Sequence, residues 1–262
     1  MKLSVSNIAW GAEADESMYR CLAQRGFQGL EAAPTRLFPD RPYEHQGEAA
    51  SFAAWLREEH GLTIPSLQSI WFGRTENLFS GEAEREALLD YTRRAMDFAA
   101  ALGCGNLVFG CPRNRAMNGR GDRETAVRFF RTLGDYAARR GSVLAMEANP
   151  PLYHTDFINT TREAFQLVDQ VSSPGFLVNL DVGTMLANGE GVDQLSGRVG
   201  QIHHVHISTP GLGPVAPHPL HGELAALLRE EGYGGFVSIE MGSGSGLSAL
   251  YEAMDYVKEL FS

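Results

Sequence analysis

Short apolar runs alternate with longer helical segments along the whole 262-residue chain. The predicted strands cover residues 3–8, 29–33, 63–69, 106–109, 142–147, 176–181, 202–206 and 235–240. The predicted helices cover residues 15–25, 47–60, 82–102, 124–140, 161–171, 192–198, 222–231 and 247–261. A repeated strand–helix order is typical of a parallel sheet, and the length fits one α/β domain over residues 1–262. We therefore predict a single (β/α)8 TIM barrel, with eight parallel strands inside a ring of helices.

Charge and composition restrict the possible partners. The chain has 32 acidic and 22 basic residues, a net charge of −10, which disfavours nucleic acid and anionic membranes. Residues 2–8 resemble a strand and not a signal peptide, and no apolar run approaches the roughly 20 residues of a membrane helix. The three cysteines, Cys21, Cys104 and Cys111, are typical of free thiols in a reducing compartment. We expect a cytoplasmic protein with a small-molecule partner, either a monomer or a homo-oligomer.

Four of the apolar runs end in a residue that can bind a metal ion: Glu147, Asp181, His206 and Glu240. The carboxyl ends of parallel barrel strands meet at one mouth, where active sites of this fold lie. Each residue alone is explained by a turn, a helix cap or a core histidine, but the four in succession predict one shared divalent cation. An oxygen-rich set with one imidazole favours Mn²⁺, Mg²⁺ or Co²⁺ over a thiolate-type zinc site.

Strand parity predicts a polar barrel interior. Side chains two apart on a strand share a face, so Asn179 lies beside Asp181, His204 beside His206 and Ser238 beside Glu240. Glu31, on the second strand, is expected on the same inner face. A buried carboxylate needs partners, and we predict Asn179, Ser238 or His204.

Three stretches carry a resemblance to a known family: Glu-Ala-Asn-Pro from Glu147, Val-His-Ile from Val205, and the nine residues that end in Ser-Ile-Glu240. They are similar to the xylose isomerase-like barrels, in particular to the sugar phosphate isomerase/epimerase branch with its ketose 3-epimerases and inosose dehydratases. The resemblance covers essentially the whole chain. It implies that Glu147, Asp181, His206 and Glu240 hold one divalent metal, preferably Mn²⁺, with Mg²⁺, Co²⁺ and Zn²⁺ as alternatives. It also implies that Glu147 and Glu240 are catalytic.

The implied reaction is removal of a proton next to a carbonyl, through an enediolate that a cation stabilises. If one glutamate removes the proton and the other returns it to the opposite face, the carbon is epimerised; transfer to the adjacent carbon is isomerisation. Two alternatives are a dehydratase that expels a β-hydroxyl and a non-catalytic sugar-binding barrel. The three-metal AP-endonuclease relatives are disfavoured, because Gln68 and Phe109 stand where their extra histidines would be.

The substrate-facing positions depart from the family pattern. Thr184, Ser208 and Thr209 replace the histidine, lysine and aspartate that many relatives carry after strands six and seven. The loop histidines His218 and His221 are candidate replacements, or else ordinary solvated residues. The remaining predicted substrate contacts are Trp10, Gln68, Trp71, Arg113, Arg115 and Asn149.

Arginines are frequent in the predicted loops at the site: Arg36, Arg41, Arg74, Arg113 and Arg115. An anionic substrate group, phosphate or carboxylate, explains them, and so do ion pairs with Asp40, Glu44 and Glu76. The sequence leaves both explanations open.

Overall fold

Eight parallel strands form the centre of the protein in the computed structural model, which describes residues 1–119 and 121–262. They are β1 Lys2–Ser6, β2 Gly29–Glu31, β3 Ser66–Leu67, β4 Asn106–Phe109, β5 Val143–Glu147, β6 Phe176–Asp181, β7 Ile202–Ile207 and β8 Phe236–Ile239. Their order is β2-β1-β8-β7-β6-β5-β4-β3. The outer two, β2 and β3, are joined by backbone hydrogen bonds, Leu30 N–H to Thr63 O at 2.9 Å and Ala32 N–H to Ser66 O at 3.0 Å. The sheet therefore closes into the predicted barrel.

Helices surround the strands: α1 Asp15–Gln24, α2 Pro34–Leu37, α3 Gln46–His60, α4 Glu82–Leu102, α5 Arg123–Arg139, α6 Thr161–Val171, α7 Val182–Asn188, α8 Pro219–Glu230 and α9 Gly246–Phe261. Two of them end at Gly61 and Gly103, whose positive φ angles of 68° and 69° suit glycine. Thr160 and Glu163 form a reciprocal capping box at the start of α6. Among the described residues, none of these helices combines the length and the apolar character needed to span a membrane.

Three segments differ from the sequence prediction. The segment 182–188, where we predicted none, is α7, and the predicted helix at 192–198 is only a 3-10 turn, Val192–Leu195. Asp181 caps α7, because its Oδ1 accepts the Thr184 N–H at 2.5 Å. The same carboxylate therefore ends a strand and caps a helix, the role that the sequence offered as an alternative to metal binding. The short helix α2 was also missed; it begins at Pro34, a residue favoured at a first helical position.

The core has two layers of different polarity. Outside the strands, aromatic rings pack between sheet and helices, with Phe109 and Phe176 on either side of Phe130 at centroid distances of 4.9 and 5.1 Å. Inside, buried polar side chains from different strands hydrogen-bond one another, as Asn106 Nδ2 does with Ser66 Oγ at 2.9 Å. A polar interior beneath an apolar outer layer lets charged groups at the barrel mouth find partners.

Candidate functional site

The four predicted strand ends come together at one mouth of the barrel. Ligand atoms of Glu147, Asp181, His206 and Glu240 all lie within 4.8 Å of one another. His206 Nδ1 is 3.2 Å from Glu147 Oε2 and 3.2 Å from Glu240 Oε2. These residues belong to β5, β6, β7 and the position after β8, so adjacent parallel strands deliver them in chain order.

Two amide groups fix the Glu147 carboxylate. Asn149 Nδ2 donates to Oε1 and Asn179 Nδ2 donates to Oε2, both at 2.8 Å. Gly110 leaves room for it, since a Cβ at that position would lie 2.9 Å from Glu147 Oε1. The two amide groups and the space at Gly110 therefore fix the position of the Glu147 carboxylate.

The unusual residues after β6 and β7 hold Asp181. Besides the cap bond from Thr184 N–H, Asp181 Oδ2 accepts the Ser208 hydroxyl at 2.6 Å. Ser208 Oγ in turn accepts the Gly183 N–H at 2.9 Å. The Thr184 hydroxyl donates to the Ala148 carbonyl at 2.8 Å and is buried. The backbone N–H of Thr184 and the hydroxyl of Ser208 therefore orient Asp181.

The electrostatics of the cluster fit a divalent cation. Burial and the charge of Glu147 raise the pKa of Asp181 to about 6. Burial, with Glu147 and Asp181 adding to it, raises the pKa of Glu240 to about 7. Burial lowers the pKa of His206, but Glu31, Glu240 and Glu147 outweigh this and raise it well above its ordinary value. Three crowded carboxylates are unfavourable by themselves, and two positive charges among oxygen donors would compensate them.

A cavity of about 190 Å³ opens onto the cluster. The three carboxylates line it together with Gln68, Asn149, Tyr153, Ser208, Thr209 and Leu212. Tyr153 Oη accepts the Gly211 N–H at 2.8 Å, which connects the loop after β5 to the loop after β7. Thr209 Oγ1 is buried and has no hydrogen-bond partner among the described residues. Sequence reasoning missed Tyr153 and Leu212; the position of Tyr153 six residues after Glu147 was the available signal for the first.

Gln68 and Asn149, two of the predicted substrate contacts, line this cavity, but the two tryptophans do not. Trp10 is 3% exposed and its indole N–H donates to Asp15 Oδ1 at 2.7 Å. Trp71 is 2% exposed and donates to Thr92 Oγ1 at 2.8 Å. The structure corrects the prediction for both, because each ring packs in the core and its one donor already has a partner.

The two loop histidines also lie away from the cavity lining. His218 is exposed and caps α8, its Nδ1 accepting the Leu220 N–H at 3.2 Å. His221 is fully buried, with Nδ1 3.1 Å from Tyr256 Oη. Their predicted substrate role is corrected to helix capping and packing between α8 and α9.

Arg115 is buried and joins several backbone segments, and it does not lie at the edge of the cavity. Its side chain is fully buried, and Nη2 donates to Glu147 O at 2.9 Å and to Asn149 Oδ1 at 2.7 Å. The same guanidinium donates to the carbonyls of Gly110 at 2.7 Å and Phe157 at 2.6 Å. It therefore fixes the end of β5 and the amide that holds Glu147. Its predicted contact with substrate is corrected, since neighbouring backbone and Asn149 use its donors.

The other rim arginines are ion-paired or outside the site. Arg41 pairs with Asp40 at 3.4 Å and Glu44 at 2.9 Å. Arg36 pairs with Asp15 at 2.8 Å, and Arg74 pairs with Glu76. These three arginines line a separate cleft of about 800 Å³, whereas Arg113 is exposed and lines neither space. Ion pairs account for Arg36, Arg41 and Arg74, and an anionic group on the substrate stays an untested alternative.

The fold and the sequence define the class. The chain belongs to the xylose isomerase-like TIM barrel family, whose model matches residues 20–260. No curated protein matches the chain.

Three solved structures share the fold over nearly their full length. One is D-psicose 3-epimerase crystallised in the presence of D-fructose, with a TM-score of 0.80 and 18% identity, covering 100% of this chain and 99% of that one. Another is 3-keto-D-glucoside 4-epimerase from E. coli, with a TM-score of 0.77, 20% identity and 99% coverage of both chains. The third is the probable 3-DHS dehydratase AsbF from Bacillus anthracis, with a TM-score of 0.73 and 17% identity, covering 98% of this chain and 99% of that one. At these identities the similarity shows the fold.

Proposed function

We propose that the protein is a divalent-metal-dependent epimerase or isomerase of a sugar. The observation that carries the proposal is the convergence of Glu147, Asp181, His206 and Glu240 within 4.8 Å at the floor of a small cavity. The four residues would hold the cation; the oxygen-rich donor set suits Mn²⁺, Mg²⁺ or Co²⁺ better than a thiolate-type zinc site, and of these we favour Mn²⁺ because of the resemblance to the sugar epimerases. When bound, the cation supplies positive charge that polarises a substrate carbonyl and makes the neighbouring C–H more acidic.

The two glutamates have different hydrogen-bond partners. Two amide groups, Asn149 Nδ2 and Asn179 Nδ2, donate to the Glu147 carboxylate. Glu240 has no such amide donor among the described residues, and burial raises its pKa to about 7 in the metal-free protein. One of the two glutamates would remove the proton beside the carbonyl and the other would return one. Delivery to the opposite face of the same carbon inverts it, and delivery to the next carbon isomerises the sugar.

The cavity lining favours an uncharged sugar. Among the described residues no arginine or lysine lines it. Gln68, Asn149, Ser208 and Thr209 offer amide and hydroxyl groups, which suit sugar hydroxyls, and Thr209 Oγ1 has no other partner. The fold relatives named for D-psicose and 3-keto-D-glucoside epimerisation point to the same uncharged class. We therefore propose a neutral ketose or keto-sugar as the substrate and set aside a phosphorylated one.

Deuterium exchange tests this function. The protein with Mn²⁺ in deuterated water is expected to place deuterium on a carbon next to the carbonyl of a ketose such as D-fructose, D-psicose or D-tagatose, as followed by NMR. The variants Glu147→Gln and Glu240→Gln are expected to lose the exchange and remain folded. Glu252→Gln, an exposed position on α9, is the matched control and should keep full activity.

The outcomes separate the alternatives. Full exchange in both site variants would support a non-catalytic barrel with a contaminating activity and would refute the assigned roles. Absence of exchange with neutral and phosphorylated ketoses alike would refute the epimerase. The dehydratase alternative rests on the similarity to the fold of AsbF, a probable dehydratase. It predicts a new enone absorbance during turnover, which epimerisation does not produce.

A further inference from the structure

Glu31 is a buried carboxylate beneath the four strand ends, and the proposed reaction does not use it. It is the last residue of β2 and has no exposed surface. Its Oε2 accepts the Ser238 hydroxyl at 2.9 Å, and its Oε1 lies 3.0 Å from His206 Nε2 and 3.3 Å from His204 Nε2. Of the partners predicted from sequence, Ser238 and His204 are its neighbours, whereas Asn179 donates to Glu147 instead. The partner that the sequence did not indicate is His206.

The two ring nitrogens of His206 face different groups. Nδ1 points to the cluster, 3.2 Å from both Glu147 and Glu240, and Nε2 points to Glu31. A neutral imidazole carries one proton, so Nδ1 offers a lone pair to a cation only if the proton resides on Nε2. A buried N–H needs an acceptor, and Glu31 Oε1 is the atom that faces it. The position of the Glu31 carboxylate therefore determines that His206 Nδ1 keeps the lone pair that can bind a cation.

Two further contacts fix the orientation. The Ser238 hydroxyl holds the second Glu31 oxygen, and Ser238 pairs with His206 in the register of β7 and β8. The His204 ring packs edge-on against the His206 ring, with centroids 5.3 Å apart and planes at 88°. These contacts hold the Glu31 carboxylate and the His206 imidazole in fixed orientations next to the cluster.

We propose that Glu31 is a positioning residue for the metal centre: it holds the proton of His206 on Nε2 and so presents Nδ1 to the cation. Carboxylates that accept the second N–H of a metal-binding histidine fix its tautomer and raise its basicity. The proposal rests on the metal site in the proposed function and not on the reaction. Its effect is therefore visible in metal binding itself.

A second cation between Glu31, His204 and His206 is the competing explanation, since their atoms also lie within 4.8 Å of one another. Only three side chains would hold it, one Glu31 oxygen is already engaged by Ser238, and all three residues are buried. Neither the cavity at the strand ends nor the cleft lined by Arg36, Arg41 and Arg74 is lined by these three residues, so neither space supplies further ligands to such a cation. The geometry favours a hydrogen-bonded carboxylate.

Calorimetric titration of the metal-free protein with MnCl₂ tests the proposal. Glu31→Ala is expected to weaken Mn²⁺ binding by about 10- to 100-fold. Glu31→Gln should fall between this variant and the wild type, because its amide oxygen still accepts the N–H but carries no charge. Asn106→Ala is the control: it removes a buried polar side chain that bonds Ser66 and His203, and should lower stability without changing the Kd. Thermal unfolding of each variant confirms that it is folded.

Nitrogen NMR of the wild type loaded with diamagnetic Mg²⁺ or Zn²⁺ supplies a readout that needs no variant. The His206 proton is expected on Nε2, in a slowly exchanging signal. An unchanged Kd in both folded Glu31 variants, or a proton on Nδ1 in the loaded wild type, would overturn the proposal alone. Two Mn²⁺ per wild-type chain falling to one in Glu31→Ala would overturn it in favour of the second cation. No Mn²⁺ binding by the wild type would overturn both this proposal and the metal dependence of the proposed function.

Discussion

Asp181 is expected to destabilise the protein whenever its site holds no metal. Burial and Glu147 raise the pKa of its carboxyl from an ordinary 3.8 to about 6. This rise is equivalent to about 3 kcal/mol of unfavourable free energy for keeping the group charged at neutral pH. The negative charge on Asp181 that the proposed metal site needs therefore lowers the stability of the metal-free protein.

Replacing Asp181 with asparagine removes the charge and keeps the local structure. The Asn Oδ1 can still accept the Thr184 N–H that caps α7, and Ser208 Oγ can accept from the new amide. Metal-free Asp181→Asn is therefore expected to be about 2–3 kcal/mol more stable than the wild type at pH 8. For a chain of this size that is a rise of about 5–10 °C in Tm.

The pH dependence identifies the cause. Because the folded pKa lies above the unfolded one, the folded wild type binds the extra proton between about pH 4 and pH 6, and its stability falls as pH rises through that window. The advantage of Asp181→Asn should therefore be near zero at pH 4 and complete above pH 6. Urea unfolding followed by circular dichroism in the presence of EDTA measures it across this range.

A matched control and the metal complete the test. Asp122 also caps a helix, accepting the Thr125 N–H at 2.6 Å, but it is exposed and that bond lowers its pKa. Asp122→Asn should give no gain in stability. Saturating Mn²⁺ should stabilise the wild type, by about 2.7 kcal/mol at 100 times the Kd, and Asp181→Asn far less. A variant less stable than the wild type at pH 8 without metal, or a difference that does not change with pH, would refute the reasoning.

Two further predictions concern proton competition and the buried Arg115. Mn²⁺ affinity should rise with pH between about 6 and 8, because protons on Asp181, Glu240 and His206 compete with the cation. Calorimetry in buffers of different ionisation enthalpy should detect the release of these protons. An affinity that does not change with pH would contradict this prediction. Arg115→Met should destabilise the protein by about 3 kcal/mol or more in urea unfolding, because several buried carbonyls lose their donor. The exposed control Arg113→Met should stay within about 0.5 kcal/mol, and an equally small loss at Arg115 would contradict its role in joining the backbone segments.

The sequence was informative where local pattern and backbone geometry agree. The alternation of strand-like and helical segments predicted the barrel, and the residue at the end of each late strand predicted the cluster of Glu147, Asp181, His206 and Glu240. That these four bind a metal stays a prediction, although the structure brings them together. Strand parity also placed Glu31 beside Ser238 and His204.

Loop side chains show where the same reasoning ends. From their positions in the sequence, Trp71, Arg115 and His221 were predicted to line the pocket, yet each is buried. Arg115 turns inward because carbonyls from Gly110, Glu147 and Phe157 surround its guanidinium, and those atoms come from three separate segments. A local sequence pattern cannot predict that these three segments come together around the Arg115 guanidinium.

The sequence by itself determined the fold and the mouth of the barrel at which Glu147, Asp181, His206 and Glu240 meet. A strand period of two and the common direction of parallel strands fix which residues end at the same mouth. Only the tertiary structure decided that Glu31 faces the far nitrogen of His206, that Tyr153 and Leu212 line the cavity and that Arg36, Arg41 and Arg74 are ion-paired. These contacts join segments far apart in the chain, so they depend on how loops and strands pack in space.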